Sequence, residues 1–179
     1  MILLGIHLIT CCNSISSDNN KSSKAIVKSS SFENDSVECQ DIIVKTLKIG
    51  VSKDKVEAFL GQPDSIKELI DSVDSPSLEY EVLFYDESEL YFYKEKFFGF
   101  SLNSSRLDFN GIAVGGNISK VEKKYPKSFN KGLHKEYNEF VISCYGSCIY
   151  EGVKCRSPDR IIITYDENKV VKQIIAFPY

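Results

Sequence analysis

The chain has 179 residues, 42% of them hydrophobic and 26% charged, which suits one ordinary domain or two small units sharing a core. A formal charge of −3 excludes the broadly basic surface that non-specific nucleic-acid binding requires. The 11 Phe and 10 Tyr, with no Trp and one Met, favour strands.

Met1 to Thr10 is almost entirely apolar, and polarity begins abruptly at Asn13. As a helix ten residues rise about 15 Å, half of a bilayer core, so this is the length of a signal-peptide apolar region and not of a spanning helix. No Lys or Arg precedes the run, which leaves room for a start upstream of Met1. Leu8-Ile9-Thr10-Cys11, or Ile9-Thr10-Cys11-Cys12, resembles a bacterial lipobox. That resemblance implies a signal over residues 1–12, lipid on Cys11 (or Cys12), and a domain held in the periplasm or at the cell surface. Residues 13–36 follow, with Ser14, Ser16, Ser17, Ser22, Ser23, Ser29, Ser30 and Ser31 and few apolar side chains. Such a stretch cannot offset its ordering entropy and reads as a flexible tether. As a random coil it spans about 25 Å.

Residues 37–110 are expected to form a first α+β repeat. Cys39, Ile42, Ile43 and Leu47 permit a short amphipathic helix or a strand at Ile42-Ile43-Val44. Gly50 supplies a turn and Ser52 an N-cap. Val56, Phe59 and Leu60 share one helical face, and Gly61 and Pro63 end the helix. Asp64 to Leu78 reads as a polar loop with an extended segment around Ile66 to Ile70. Tyr80–Tyr85, Leu90–Tyr93, Lys96–Leu102 and Arg106–Phe109 then form an antiparallel meander, with hairpin-sized connections at Asp86-Glu87-Ser88-Glu89, Lys94-Glu95 and Asn103-Ser104. Its aromatic runs fit cross-strand packing better than a ligand platform.

A second repeat is expected over residues 111–179. Shifting by 65 residues lays Gly50 on Gly115, Ser52 on Asn117, Val56 on Val121 and Leu60 on Tyr125, with Pro63 matched to Pro126. Strands follow at Glu139–Tyr145, Ser147–Tyr150, Arg160–Tyr165 and Val170–Phe177. The fold class read from this pattern is α+β, two tandem repeats, each of short helices followed by an antiparallel β-meander, with the binding surface sought between the copies.

The run Gly50-Val51-Ser52-Lys53-Asp54-Lys55-Val56-Glu57-Ala58-Phe59-Leu60-Gly61-Gln62-Pro63 resembles the signature of the SmpA/OmlA lipoproteins, accessory subunits of outer-membrane β-barrel assembly. It also resembles the glycine-helix-glycine-proline signature of the β-lactamase-inhibitor-protein-like tandem-repeat fold. The resemblance implies helices packed on a small antiparallel sheet and a lipoprotein context. It carries no activity and no contact residue to this chain.

Four body cysteines, Cys39, Cys144, Cys148 and Cys155, read in an oxidising envelope as structural bridges in preference to free thiols or a metal site. The favoured pairs are Cys148–Cys155 across the Glu151-Gly152 loop and Cys39–Cys144. His134 is the one histidine left beyond the signal and sits in a polar loop. Lys120, Lys123, Lys124 and Lys127 read as a solvated helix face, and Asp86, Glu87 and Glu89 as a charged hairpin tip. No arrangement supplies nucleophile, base and oxyanion site together. The expected function is non-enzymatic: a cell-envelope lipoprotein binding a protein partner, or an accessory structural component of β-barrel assembly. Cofactor, metal, nucleic acid and small-molecule substrate are not expected, and the membrane is reached through the N-terminal lipid alone.

Overall fold

The computed structural model describes residues 36–71, 78–128, 133–134, 137–146, 148–150, 153–155 and 158–177. They belong to one compact unit, Glu33–Tyr179. The lipobox cysteines Cys11 and Cys12, the signal and most of the tether lie outside the described residues.

In chain order the elements are β1 (Val37–Glu38), a 3₁₀ turn (Cys39–Asp41), β2 (Ile43–Val44), β3 (Leu47–Lys48), α1 (Lys53–Leu60), β4 (Ser65–Asp71), β5 (Leu78–Tyr85), β6 (Ser88–Tyr93) and β7 (Lys96–Leu102). There follow β8 (Asp108–Phe109), β9 (Ile112–Ala113), α2 (Ser119–Lys124), β10 (Leu133–His134), β11 (Glu139–Tyr145), β12 (Cys148–Tyr150), β13 (Val153–Cys155), β14 (Arg160–Tyr165) and β15 (Val171–Ala176). One nine-stranded sheet runs β1-β11-β14-β15-β7-β6-β5-β4, with β10 also on β11. It is mixed, because β1 joins β11 in parallel while the other pairs are antiparallel. A four-stranded sheet, β3-β2-β8-β9, and the β12-β13 hairpin complete the strands.

This architecture corrects the expected fold class. The protein is mainly β, and its strands do not form two tandem helix-plus-meander repeats. β7 pairs with β15 through Leu102↔Ile174, Ser101↔Ile175 and Phe100↔Ala176, so both halves of the chain feed one sheet. The helices are too short to form a layer: α1 buries Val56 alone and α2 buries Val121 alone. Alternation of apolar and polar residues in the long strands is the stronger instruction. β6 buries Ser88, Leu90 and Phe92, and β14 buries Ile161, Ile163 and Tyr165, leaving the intervening residues on the other face. Those inward faces meet the small sheet. Phe100 packs on Phe109 at 6.1 Å between ring centroids, and Phe109 stacks on Tyr125 at 6.3 Å.

Locally, the two segments matched in the sequence are tied to the sheet in the same manner. The Gly50 N–H donates to the Phe97 carbonyl, the Phe97 N–H to Val51, and the Lys53 N–H to Glu95. The Gly115 N–H donates to Val171, the Val171 N–H to Gly116, and the Ile118 N–H to Lys169. Gly50 and Gly115 have φ of 94° and 83°, backbone that favours glycine. Asn110, at φ 49°, joins the two hairpins of the small sheet: its side chain accepts from the Ile43 N–H at 3.0 Å and donates to the Tyr125 hydroxyl at 3.1 Å.

Candidate functional site

Strand β4 ends the large sheet, and its first six residues are open to solvent. Every residue from Ser65 to Ile70 is exposed, including Ile66 at 49%, Leu69 at 41% and Ile70 at 64%. An outer strand leaves a row of backbone N–H and C=O groups unpaired, and proteins usually shorten, bulge, cover or charge such an edge. Here the seven pairs from Ser65↔Phe84 to Asp71↔Leu78 run without a register shift. Alternation places Ile66, Glu68 and Ile70 on one face and Lys67 and Leu69 on the other.

On the first face, Glu68 stands directly opposite Glu81 and Ile70 opposite Glu79. Like charges opposite each other destabilise a ladder. Lys53, at the start of α1, offsets part of this: its Nζ lies 2.7 Å from Glu81 and 3.6 Å from Glu95. The hydrogen bond to Glu81 is the main reason that the lysine is held above its ordinary pKa. A cleft of about 490 Å³ opens here, between the end of β4 and the β6–β7 turn, with Glu68, Ile70, Glu79, Glu81, Phe92 and Glu95 in its wall. Four carboxylates and one cation, Lys94, surround its apolar residues. It lies at the open edge and not between the two anchored helical segments.

The other face carries aromatic rings. Tyr80, Tyr91, Phe98 and Phe177 make mutual contacts with centroids 5.0 to 6.4 Å apart. The Tyr91 hydroxyl donates to Glu89 at 2.5 Å, and burial, reinforced by that bond, pushes the phenol upward. Lys67 reaches over the Phe84 ring at 4.9 Å, so its charge is turned away from Glu68.

α1 reaches this edge through the tight turn that starts β4. The Gly61 N–H donates to Glu57, and Gly61 has φ of 87°. The Gly61 carbonyl accepts the buried Tyr85 hydroxyl at 3.1 Å, and Asp64 accepts the Asp86 N–H at 2.6 Å. Pro63 sits in the connection, half-buried. Ser52 precedes α1 without a side-chain capping bond, and its carbonyl accepts the Val56 N–H. Pro126 follows the end of α2 and opens a further helical turn at 126–128, a position that suits proline's missing N–H.

The cysteines gather at the far end of the sheet. Val37 is the register partner of Cys144, the 3₁₀ turn holds Cys39 at 1% exposure, and β12 lies against that turn. Cys148 and Cys155 are register partners across their hairpin. Cys144 is a free thiol, so the expected Cys39–Cys144 bridge does not form. β1 pairs directly with β11, which sets Val37, and not Cys39, opposite Cys144, and Cys39 is itself disulfide-bonded. Burial, followed by the nearby Asp159 carboxylate, pushes the Cys144 thiol up to about 12.

The remaining charged candidates are dispersed. Asp86 pairs with Arg106 at 3.3 Å, whereas Glu89 is engaged by Tyr91. Lys120, Lys123 and Lys124 are exposed on α2, and Lys124 donates to the Asn110 carbonyl. His134 lies in β10 opposite Glu139. Among the described residues, no group of three or more His, Cys, Asp or Glu is placed to hold a metal ion. No helix among them is long and apolar enough to cross a membrane.

The sequence marks an extended segment around Ile66 to Ile70 within a polar stretch, and the structure makes that stretch a full edge strand. Ile66, Leu69 and Ile70 stand at i, i+3 and i+4, a spacing that does not alternate, and three of the seven residues from Ser65 to Asp71 are charged, so no period-2 pattern marks the strand. Comparison with family models, curated proteins and solved structures finds no match to this chain.

Proposed function

We propose that this protein is a non-enzymatic cell-envelope lipoprotein whose edge strand β4 captures an extended segment of a partner protein. The observation that carries the reading is the combination of an uninterrupted seven-residue edge with three exposed apolar side chains, Ile66, Leu69 and Ile70. Strand addition uses the open main-chain groups for affinity and alternate side chains for selectivity. The lipid on Cys11 or Cys12 and the serine-rich tether over residues 13–36 would present that edge close to a membrane surface. An accessory part in β-barrel assembly is the second reading, favoured by the resemblance carried at Gly50–Pro63.

A photocrosslinking amino acid at position 70 of the full-length protein in membranes tests the reading. Adducts are expected to map to an extended segment of a second protein, and to vanish with Leu69→Pro if that variant remains folded by circular dichroism. Adducts only to lipid, or to scattered surface sites, would count against it. Anchoring is tested separately: Cys11→Ala with Cys12→Ala is expected to release the protein from the membrane fraction.

A further inference from the structure

We infer that the segment added to β4 is basic at its centre, with the alternation apolar–x–Lys/Arg–x–apolar on the face that meets Glu68. The inference rests on the edge-addition reading and specifies the occupant. A strand added beyond β4 sets its side chains about 4.5–5.5 Å from those directly opposite. Three successive positions on one face would then meet Ile66, Glu68 and Ile70. Ile66 and Ile70 are exposed and ask for apolar partners.

Glu68 asks for a cation. It is exposed and already faces Glu81 across the ladder, with Glu79 two residues from Glu81 on the same face. Three nearby lysines each have another partner, and one of them, Lys94, also lines the cleft. Lys53 bonds Glu81, Lys67 lies over Phe84 on the opposite face, and Lys94 lies over the Tyr93 ring at 5.2 Å. A lysine or arginine arriving opposite Glu68 relieves the part of the repulsion with Glu81 that Lys53 does not offset. The open strand supplies the docking geometry, and the charge pattern selects the occupant. A second copy is disfavoured in the centred antiparallel register, which sets Glu68 against Glu68.

The test uses short strand-forming peptides with Val-Thr-Lys-Thr-Val at the centre, and counterparts with Gln or Glu replacing the Lys. Each is titrated into the full-length protein while amide shifts of β4 and β5 are followed. The lysine peptide is expected to bind about two- to tenfold tighter than the glutamate peptide, with glutamine between, and the spread should shrink at about 0.5 M salt. Glu68→Lys, at an exposed position, should reverse the order. Equal affinities, or an unchanged order in Glu68→Lys, overturn the basic assignment while leaving edge addition standing. No β4 shift with any peptide overturns both. Concentration-dependent β4 shifts without peptide identify a second copy as the occupant and also overturn the basic assignment.

Discussion

The two ends of the large sheet solve the same problem differently. At the β11 end, short β1 and β10 lie along the outer strand, and the adjoining Val37 and Cys39 are buried. At the β4 end nothing among the described residues pairs with the outer strand, and its apolar side chains stand in solvent. A two-residue patch such as β1 is enough to interrupt an edge, since further pairing needs a continuous row of free main-chain groups. One end is flanked by short added strands, while the other leaves its outer strand unpaired on one side among the described residues.

The sharpest contrast concerns chemical reactivity. With its thiol pushed up to about 12, Cys144 should react with a neutral alkylating reagent about a thousandfold more slowly than an ordinary cysteine near pH 8. Timed alkylation with peptide mapping measures this, and a normal rate would show that the β11 end is open. The same mapping without reductant should find no more than one bridge among the four body cysteines, because Cys144 is unpaired. Next in size is a pair of truncations read by urea unfolding. Ile142→Ala, fully buried in β11, should cost about 2–5 kcal/mol, whereas Ile70→Ala should stay within about 0.5 kcal/mol. Similar losses at both positions would erase the distinction.

A smaller effect belongs to Tyr85, buried beside the start of β4. Its phenol is raised to about 12, mainly by burial and then by the Glu57 charge. The folded state thus favours the neutral form. The associated stability is fully present below pH 10 and is lost as pH rises toward 12, on the order of 2 kcal/mol. Tyr85→Phe should flatten that part of the profile while costing about 1 kcal/mol at neutral pH through loss of the bond to Gly61. Smallest is Lys53→Met, which removes a partly exposed ion pair worth about 0–1 kcal/mol. Its value lies in the comparison: by freeing Glu81 it should tighten binding of the lysine peptide at the open edge and leave the β11 end unchanged.

Much of the strand content was legible. Tyr80–Tyr85, Leu90–Tyr93 and Lys96–Leu102 overlap β5, β6 and β7, since aromatic and β-branched residues there alternate or form a doubly buried central strand. The large-scale arrangement was not legible. Pairing of Phe100 with Ala176 depends on residues far apart in the chain, and no local periodicity encodes it. Giving the glycine-bounded helices a weight equal to the strands also misled the fold class, because Val56 and Val121 are single anchors and not a packed stripe. The candidate edge was half visible. Ile66, Leu69 and Ile70 signalled extension, but Lys67, Glu68 and Asp71 made the segment resemble a loop. Whether a charged strand lies at the margin of a sheet is a property of topology.

The junction of β7 with β15 has a consequence for the order of assembly. Strands β4 to β7 are linked by hairpins and need only nearby chain to pair, whereas β7 meets β15 through three residue pairs contributed by the end of the described chain. Loop closure makes such distant pairing the slow step. A chain emerging amino terminus first has β7 ready before its neighbour exists, with Phe100 and Leu102 on an unfinished margin. During that interval the nascent protein has two sticky borders in place of one, and chaperone demand should be greatest then.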